Sequence, residues 1–357
     1  MIKYSVTIII ATYNSKSLLE KVFKAINNQT YPKDLINILA VDGGSTDDTK
    51  AFVLSNGYKI IDNPKTEPVY AKYLGYLEAK SDYVIYLDHD EVLENPKSVE
   101  NKIKLFQSDE KIKAVLSSGY KTPKDISFIN NYINEFGDPF SAYRYWLSKM
   151  DKFFIKRMKK NYSVINENDL GLTFELNNNI DLPIIELVAV GSMIDLKYFK
   201  DTFPETLNSP DLLPHFFYMM IENNKHLAIA KDDAIYHYSS DTFLKYLNKI
   251  KWRIKNNIFF SHLAKAGFSG RDKYEQGFNK YKKYLFIPYS FSIILPLIDS
   301  IYLIISRKKL SYAIHLPLVL YTTSHISVYM IMKLFGYKPQ LTSYDASKII
   351  EEVGKSK

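Results

Sequence analysis

Short apolar, β-branched runs alternate with stretches of helical period through the first 95 residues, and this alternation restricts the fold more than any other property of the chain. Ser5–Ala11 (SVTIIIA) is too continuously apolar for a half-solvated strand and reads as one buried on both faces. Ser17–Asn28 sets Leu18, Leu19, Val22, Phe23 and Ile26 on one helical face. Ile36–Val41 predicts a second strand. Ser45 then opens a helix over Thr46–Ser55, with Asp47 and Asp48 at the positive end of its dipole. Lys59–Asp62 predicts a third strand, Pro68 opens a helix to about Ala79, and Tyr83–Leu87 predicts a fourth strand. Strands spaced by single helices predict an α/β fold, with a mostly parallel sheet, right-handed crossovers and helices on both faces.

The second half is less regular. It predicts a helix over Ala142–Lys160, a strand over Leu182–Val190, a helix over Asp211–Glu222 and extended chain at Ala228–Ala230 and Ala234–Tyr238. A basic amphipathic helix follows at Thr242–Asn256. Tyr284–Ser306 then carries one charge, Asp299, and Leu310–Met332 carries no Asp, Glu, Lys or Arg. As helices rising about 1.5 Å per residue, each is long enough for a hydrocarbon core of about 30 Å. Basic residues flank every end (Lys282-Lys283, Arg307-Lys308-Lys309, Lys333), and Pro288, Pro296 and Pro317 interrupt the runs. Positive flanks on all sides defeat a simple orientation rule. The expectation is re-entrant or in-plane helices on the cytoplasmic face, with a two-span hairpin as the alternative. The N-terminus lacks the longer apolar core and small-residue cleavage site of a secretory signal.

The 357 residues hold no Cys, which excludes thiolate metal sites and a cysteine nucleophile. Lys and Arg outnumber Asp and Glu 47 to 39, an excess of +8 that suits anionic partners. Nucleic acid is one such partner, but no nucleic-acid-binding motif accompanies the charge.

In a parallel α/β sheet, ligands bind beyond the carboxyl ends of the strands. There the chain reads Ala11-Thr12-Tyr13-Asn14, Val41-Asp42-Gly43-Gly44-Ser45 and Asp88-His89-Asp90. Two carboxylates two residues apart just past a strand can face one hard cation, Mg2+ or Mn2+, together with phosphate oxygens. Asp42 can accept from the imide of uracil or from a ribose hydroxyl, with Gly43 and Gly44 permitting close approach. It can equally cap the helix that follows.

SVTIIIATYNS, AVDGGSTDDT and AKYLGYLEAKSDYVIYLDHDE, in that order and spacing over residues 4–95, resemble the successive signatures of family 2 glycosyltransferases. The resemblance implies the A-type nucleotide-sugar fold, which is Rossmann-like. It also implies that Thr12, Tyr13 and Asn14 line the nucleotide pocket, that Asp42 contacts the base, and that Asp88 and Asp90 hold the ribose and a diphosphate-bound metal. Lys72 stands where the family usually has an arginine: it keeps the charge but not the two-pronged fork. Val190-Gly191-Ser192-Met193 resembles the small-residue turn beside the acceptor, and His237 the histidine that reaches metal or diphosphate. The segment from Phe203 to Leu212 resembles the one that supplies a Glu-Asp pair, but Pro210 replaces the Glu. Asp211 is the first candidate for general base and Glu205 the second.

The expectation is thus an inverting, metal-dependent transferase that moves sugar from a UDP-sugar to a lipid-linked glycan at an anionic membrane surface. The alternatives are transfer to a polyprenyl phosphate, or a non-catalytic nucleotide- or glycan-binding assembly component. The expected organisation is a catalytic domain at 1–240 (nucleotide-sugar half 1–120, acceptor half 121–240), linker helices at 241–283 and membrane-associated helices with a tail at 284–357.

Overall fold

The computed structural model describes residues 3–124, 126–176, 186–239, 242–260, 274 and 277–342. The chain begins with β1 (Val6–Thr12), α1 (Lys16–Asn27), β2 (Ile36–Asp42), α2 (Thr49–Ser55), β3 (Lys59–Asp62), α3 (Pro68–Glu78) and β4 (Tyr83–Asp88). There follow β5 (Glu91–Leu93), α4 (Ser98–Ser108), β6 (Ile112–Leu116), β7 (Gly119–Lys121), α5 (Ile129–Phe136), α6 (Pro139–Tyr145), α7 (Asp151–Asn161), β8 (Ser163–Glu167) and β9 (Gly171–Glu175). Next come β10 (Met193–Asp195), α8 (Leu196–Thr202), 3-10 turns at Pro204–Leu207 and Pro210–His215, α9 (Phe216–Glu222), β11 (His226–Ala230), β12 (Ala234–His237) and α10 (Phe243–Phe259). The last elements are α11 (Gly277–Lys282), α12 (Phe286–Phe291), α13 (Ile294–Arg307) and α14 (His315–Leu334).

The described residues of 1–123, 149–179 and 184–238 form one compact unit, and those of 124–148 and 239–357 a second. In the first, nine strands make one sheet in the order β3-β2-β1-β4-β10-β6-β11-β9-β8. From β3 to β4 all pairings are parallel, as the strand–helix alternation requires. The sheet is mixed rather than mostly parallel, because β10 inserts antiparallel between β4 and β6 and β9 runs antiparallel to β11 and β8. β10 reaches its slot from the second half of the chain rather than by a crossover helix, so no handedness rule fixes its direction.

β1 is buried along its whole length. Ile8 and Ile10 join Leu19, Val22, Phe23 and Ile26 of α1 in one core, while Ile9 points to the other face and meets α3. There a Cβ on Gly75 would lie 2.4 Å from Ile9 Cγ2, so the glycine is what allows α3 to approach. α3 leaves from the carboxyl side of the sheet, so its first turns stand at the strand ends.

Two expectations fail. The helix over Ala142–Lys160 is broken: Trp146, at φ 49°, ends α6, and the chain near 149 then serves β7, whose Tyr120 N–H donates to Lys149 O at 2.8 Å. The strand over Leu182–Val190 lies outside the described residues as far as 185. Residues 187–190 are turn, and Val190 and Gly191 both have positive φ (56° and 55°), which reverses the chain.

In the second unit, Ile129, Tyr132 and Phe136 of α5 pack with Tyr246 and Ile250 of α10, Leu303 of α13 and Leu318 of α14. Glu135 is fully buried and accepts from Arg307 Nη2 at 2.6 Å, Arg307 Nε at 2.8 Å and the Tyr312 hydroxyl. Among the described residues one helical stretch, Leu310–Leu334, is long and apolar enough to cross a membrane, and Lys280–Phe291 meets Ile294–Arg307 at a bend of 93°.

Candidate active site

β1, β2 and β4 are apolar until their last residues, where the sheet edge meets solvent and polar side chains take over. Register aligns these ends: Thr12 pairs with Asp42, and Ala11 with Asp88. Thr12, Asp42 and Asp88 are therefore the last residues of three adjacent strands, with Asp88 one residue out of line with the Thr12–Asp42 pair.

The loops after β1 and β2 are knitted into one surface. Asp42, with a fully buried side chain, accepts from Gly44 N–H (3.0 Å), Ser45 N–H (2.9 Å) and the Ser45 hydroxyl, and Lys50 Nζ lies 3.6 Å away. A carboxylate offers about four acceptor sites, so most of its capacity holds the loop. In this structure it caps its own loop, and a base would have to share it. Gly44 is at φ 89°, a conformation the turn demands. Asn14, at φ 45°, accepts from Thr46 N–H at 2.8 Å and donates its own N–H to Ser45 Oγ at 2.8 Å. Gly43 N–H donates to Thr12 O at 2.9 Å, and the buried Thr12 hydroxyl pairs with that of Ser15. Tyr13 is half-buried on the same rim. Because the 43–48 loop is committed in this way, α2 starts at Thr49 rather than beside Ser45.

Lys72 is only 5% exposed, which excludes a solvated surface lysine. Its ammonium lies 2.8 Å from Asp88 Oδ1 and donates to Val188 O at 2.8 Å. Burial opposes its charge, but the carboxylates of Asp88, Glu91 and Glu186 outweigh that and hold its pKa above the ordinary lysine value. One cation thus joins α3, the end of β4 and the 186–190 turn, in the turn that Val190-Gly191-Ser192 closes.

A second, three-stranded sheet, β5-β12-β7, continues beyond β4. It pairs His237 with Glu91 and brings His237 Nε2 to 3.5 Å from Asp90 Oδ2. The His237 ring stacks on Tyr120 at 4.5 Å. Glu91 is fully buried and accepts from the Tyr120 hydroxyl and from Asp88 N–H at 3.0 Å. Burial first, then the charge of Asp88, pushes the Glu91 pKa up against the opposing pull of His237 and Lys72. Asp90 and His237 are brought together, while Asp88 turns one oxygen to Lys72. Among the described residues no three His, Asp or Glu side chains form a preformed metal cluster. Glu91 and Tyr120 were missed from sequence. The only signal was the third acid in the run Asp88-His89-Asp90-Glu91.

α3 also docks the segment that carries the candidate bases. Tyr73 OH donates to Leu207 O at 2.6 Å, and the Tyr76 and Thr206 hydroxyls pair at 2.8 Å. Asp211, half-buried in the second 3-10 turn, interacts electrostatically with Glu67, the N-cap of α3, which also feels Lys72. Glu205 is exposed, and its charge acts on Tyr76, nine residues or about 13 Å farther along α3. The turn that carries Asp211 packs on α3, with the charge of Asp211 acting at the start of that helix and the charge of Glu205 farther along it.

A model of the family described as glycosyl transferase family 2 matches residues 7–203. Among curated proteins, a GalNAc(5)-diNAcBac-PP-undecaprenol beta-1,3-glucosyltransferase of Campylobacter jejuni is 36% identical over 94 residues, and the glycosyltransferase AglE of Haloferax volcanii is 31% identical over 91. Each match covers 24% of this chain and only 30% of the relative's own length. Among solved structures, the mannosyltransferase PcManGT from Pyrobaculum calidifontis, in complex with GDP-Man and Mn2+, aligns over 95% of this chain and 89% of its own. The TM-score is 0.50 at 14% identity, which is a likeness of fold.

Proposed function

This chain belongs to glycosyl transferase family 2 and is a glycosyltransferase, and from that premise we propose that it moves a sugar from a UDP-sugar to a hydroxyl of a lipid-linked glycan, with inversion. The observation that supports the reading is that three adjacent strands end in Thr12, Asp42 and Asp88, with Lys72 buried against Asp88.

The rim of Thr12, Tyr13, Asn14 and the 42–45 loop seats the nucleoside. Asp211 takes the proton of the acceptor hydroxyl as its oxygen bonds to the anomeric carbon. The bond from that carbon to the phosphate oxygen breaks, and its electron pair leaves with the nucleoside diphosphate. One displacement inverts the carbon, so a single base suffices. Lys72 keeps Asp88 and the 186–190 turn in place while charge builds on the leaving group. Asp90 and His237, a carboxylate oxygen and an imidazole nitrogen 3.5 Å apart, would hold Mg2+ or Mn2+ together with Asp88. When bound, the cation supplies Lewis-acid neutralisation of the diphosphate. A lipid-linked acceptor sets the reaction at the cytoplasmic face of a membrane.

The test is a panel of nucleotide sugars with lipid extract as acceptor source and products identified by mass. Wild type should release UDP only with divalent cation. Asp211→Asn should lose roughly 10²–10⁴-fold in rate, with donor binding retained. Full turnover by Asp211→Asn, or no turnover with any donor, would overturn the reading.

A further inference from the structure

Among the described residues of the second unit, the outward face of α13 has no partner. Ile294, Leu297, Ile298, Ile301 and Ile305 recur at helical spacing and are exposed, while Pro296, Ser300 and Leu303 face inward. A surface helix of a soluble protein carries polar residues on that side. Here the apolar stripe continues at the bend into Phe291 and Ile293, both exposed. The bend itself is 93°, between Lys280–Phe291 and Ile294–Arg307.

Three facts say what covers this stripe. The first is charge. Residues 277–342 hold eight Lys and Arg and one acid, Asp299, so 8 − 1 = +7 of the chain's +8 lies here. Asp299 accepts from Tyr289 OH at 2.6 Å, which leaves no exposed acid in the segment. A second copy would set +7 against +7, whereas an anionic lipid surface is complementary. The second is the pair of flanks. Exposed Tyr281 and Tyr284 stand before the bend, with Lys283 over the Tyr284 ring at 5.2 Å, and Lys308 and Lys309 are exposed just past α13. Aromatic and basic residues of this kind settle at headgroup level. The third is length and packing. α13 has 14 residues, about 21 Å, too short for a core of about 30 Å. The longer α14 packs on α10, with Tyr321 OH donating to Leu247 O at 3.3 Å and Lys333 Nζ to Ile258 O. A span through α14 would draw Lys245, Lys249, Lys251, Arg253 and Lys255 of α10 into hydrocarbon.

We propose that α13 lies in the plane of an anionic bilayer, its Ile294–Ile305 stripe sunk among the acyl chains of one leaflet and Lys308 and Lys309 on the headgroups. For its purpose this rests on the lipid-linked acceptor proposed above; the surface stands without it.

The test uses the full chain in flotation with phosphatidylcholine vesicles, with and without phosphatidylglycerol. Wild type should float with the anionic vesicles and sink in high salt. The double variant Ile298→Glu, Ile301→Glu alters exposed positions and should lose roughly tenfold or more in partitioning, since it sets two carboxylates in the apolar stripe. Lys308→Glu with Lys309→Glu should abolish the preference for anionic lipid. The chain has no native cysteine, so Ile294→Cys, Ile301→Cys and Ile305→Cys can each be spin-labelled, and their membrane depths should be equal. Depths graded by position along the helix would mean a span and overturn the proposal. So would absence of flotation, or a dimer in sedimentation that Ile298→Glu dissociates. Flotation without sugar transfer would sink the proposed reaction but not the docking, and transfer without flotation the reverse.

Discussion

Lys72 carries a full charge into a site with almost no water, and its two partners decide what its loss does. In Lys72→Met, Asp88 keeps partial contact with solvent but loses its cation, and the Val188 carbonyl loses its donor. Breaking a fully buried pair costs about 3–5 kcal/mol. With Asp88 one-third exposed, about 2–3 kcal/mol is expected, read as a lowered urea midpoint with unchanged slope. The sign with pH follows from the raised pKa. Lys72 contributes fully below the ordinary lysine range, and the contribution fades only as pH rises through its elevated value. Across neutral pH the wild-type minus Lys72→Met difference should be flat. Lys72→Arg keeps the charge but brings a planar fork to a space that holds one ammonium between a carboxylate and a carbonyl, so it should restore stability only in part.

Contacts between elements carry their own tests. α4 is tied to the start of β11 by Asp109 and His226, 2.6 Å apart. Burial pushes the Asp109 pKa up, but the His226 contact and backbone N–H groups outweigh it and leave it below the usual value. A depressed carboxylate stabilises above its ordinary range and stops doing so as pH falls through the folded value. Asp109→Asn should cost about 1 kcal/mol at neutral pH, and the gap to wild type should close in acid. On the other face, Gly75→Ala must push Ile9 out of place. Overpacking of this kind costs about 1–3 kcal/mol, seen as a lower urea midpoint. The first four strands and their helices were legible because each is set by local period and apolar content. What was not legible depends on distant partners. β10 pairs with β4 across more than a hundred residues, and α6 ends at Trp146 because β7 claims the chain beyond it. The site divides the same way. The strand ends Thr12, Asp42 and Asp88 could be read because parallel strands in register end together. Lys72 as a buried bridge, and Glu91 under Tyr120 and His237, could not, since nothing local links residues 72, 91, 120, 188 and 237.

For the whole molecule, the fold and the proposed chemistry meet in ligand linkage. The strand-end loops are held by their own hydrogen bonds, so the rim proposed to seat the nucleotide exists before ligand arrives and binding need not be spent on ordering it. A ligand that binds the folded chain alone adds RT ln(1 + [L]/Kd), about 2.7 kcal/mol at a hundredfold excess over Kd. For a unit of this size that is roughly 5–10 °C in the melting of the part that binds. UDP with Mn2+ should therefore raise the melting temperature by that order. With EDTA the diphosphate meets the carboxylates of Asp88 and Asp90 without a divalent cation to offset them, and repulsion should remove most of the rise. Asp90→Asn should bind UDP with Mn2+ more weakly, read as a smaller rise above its own ligand-free melting temperature. An equal rise with and without EDTA would remove the cation from the site.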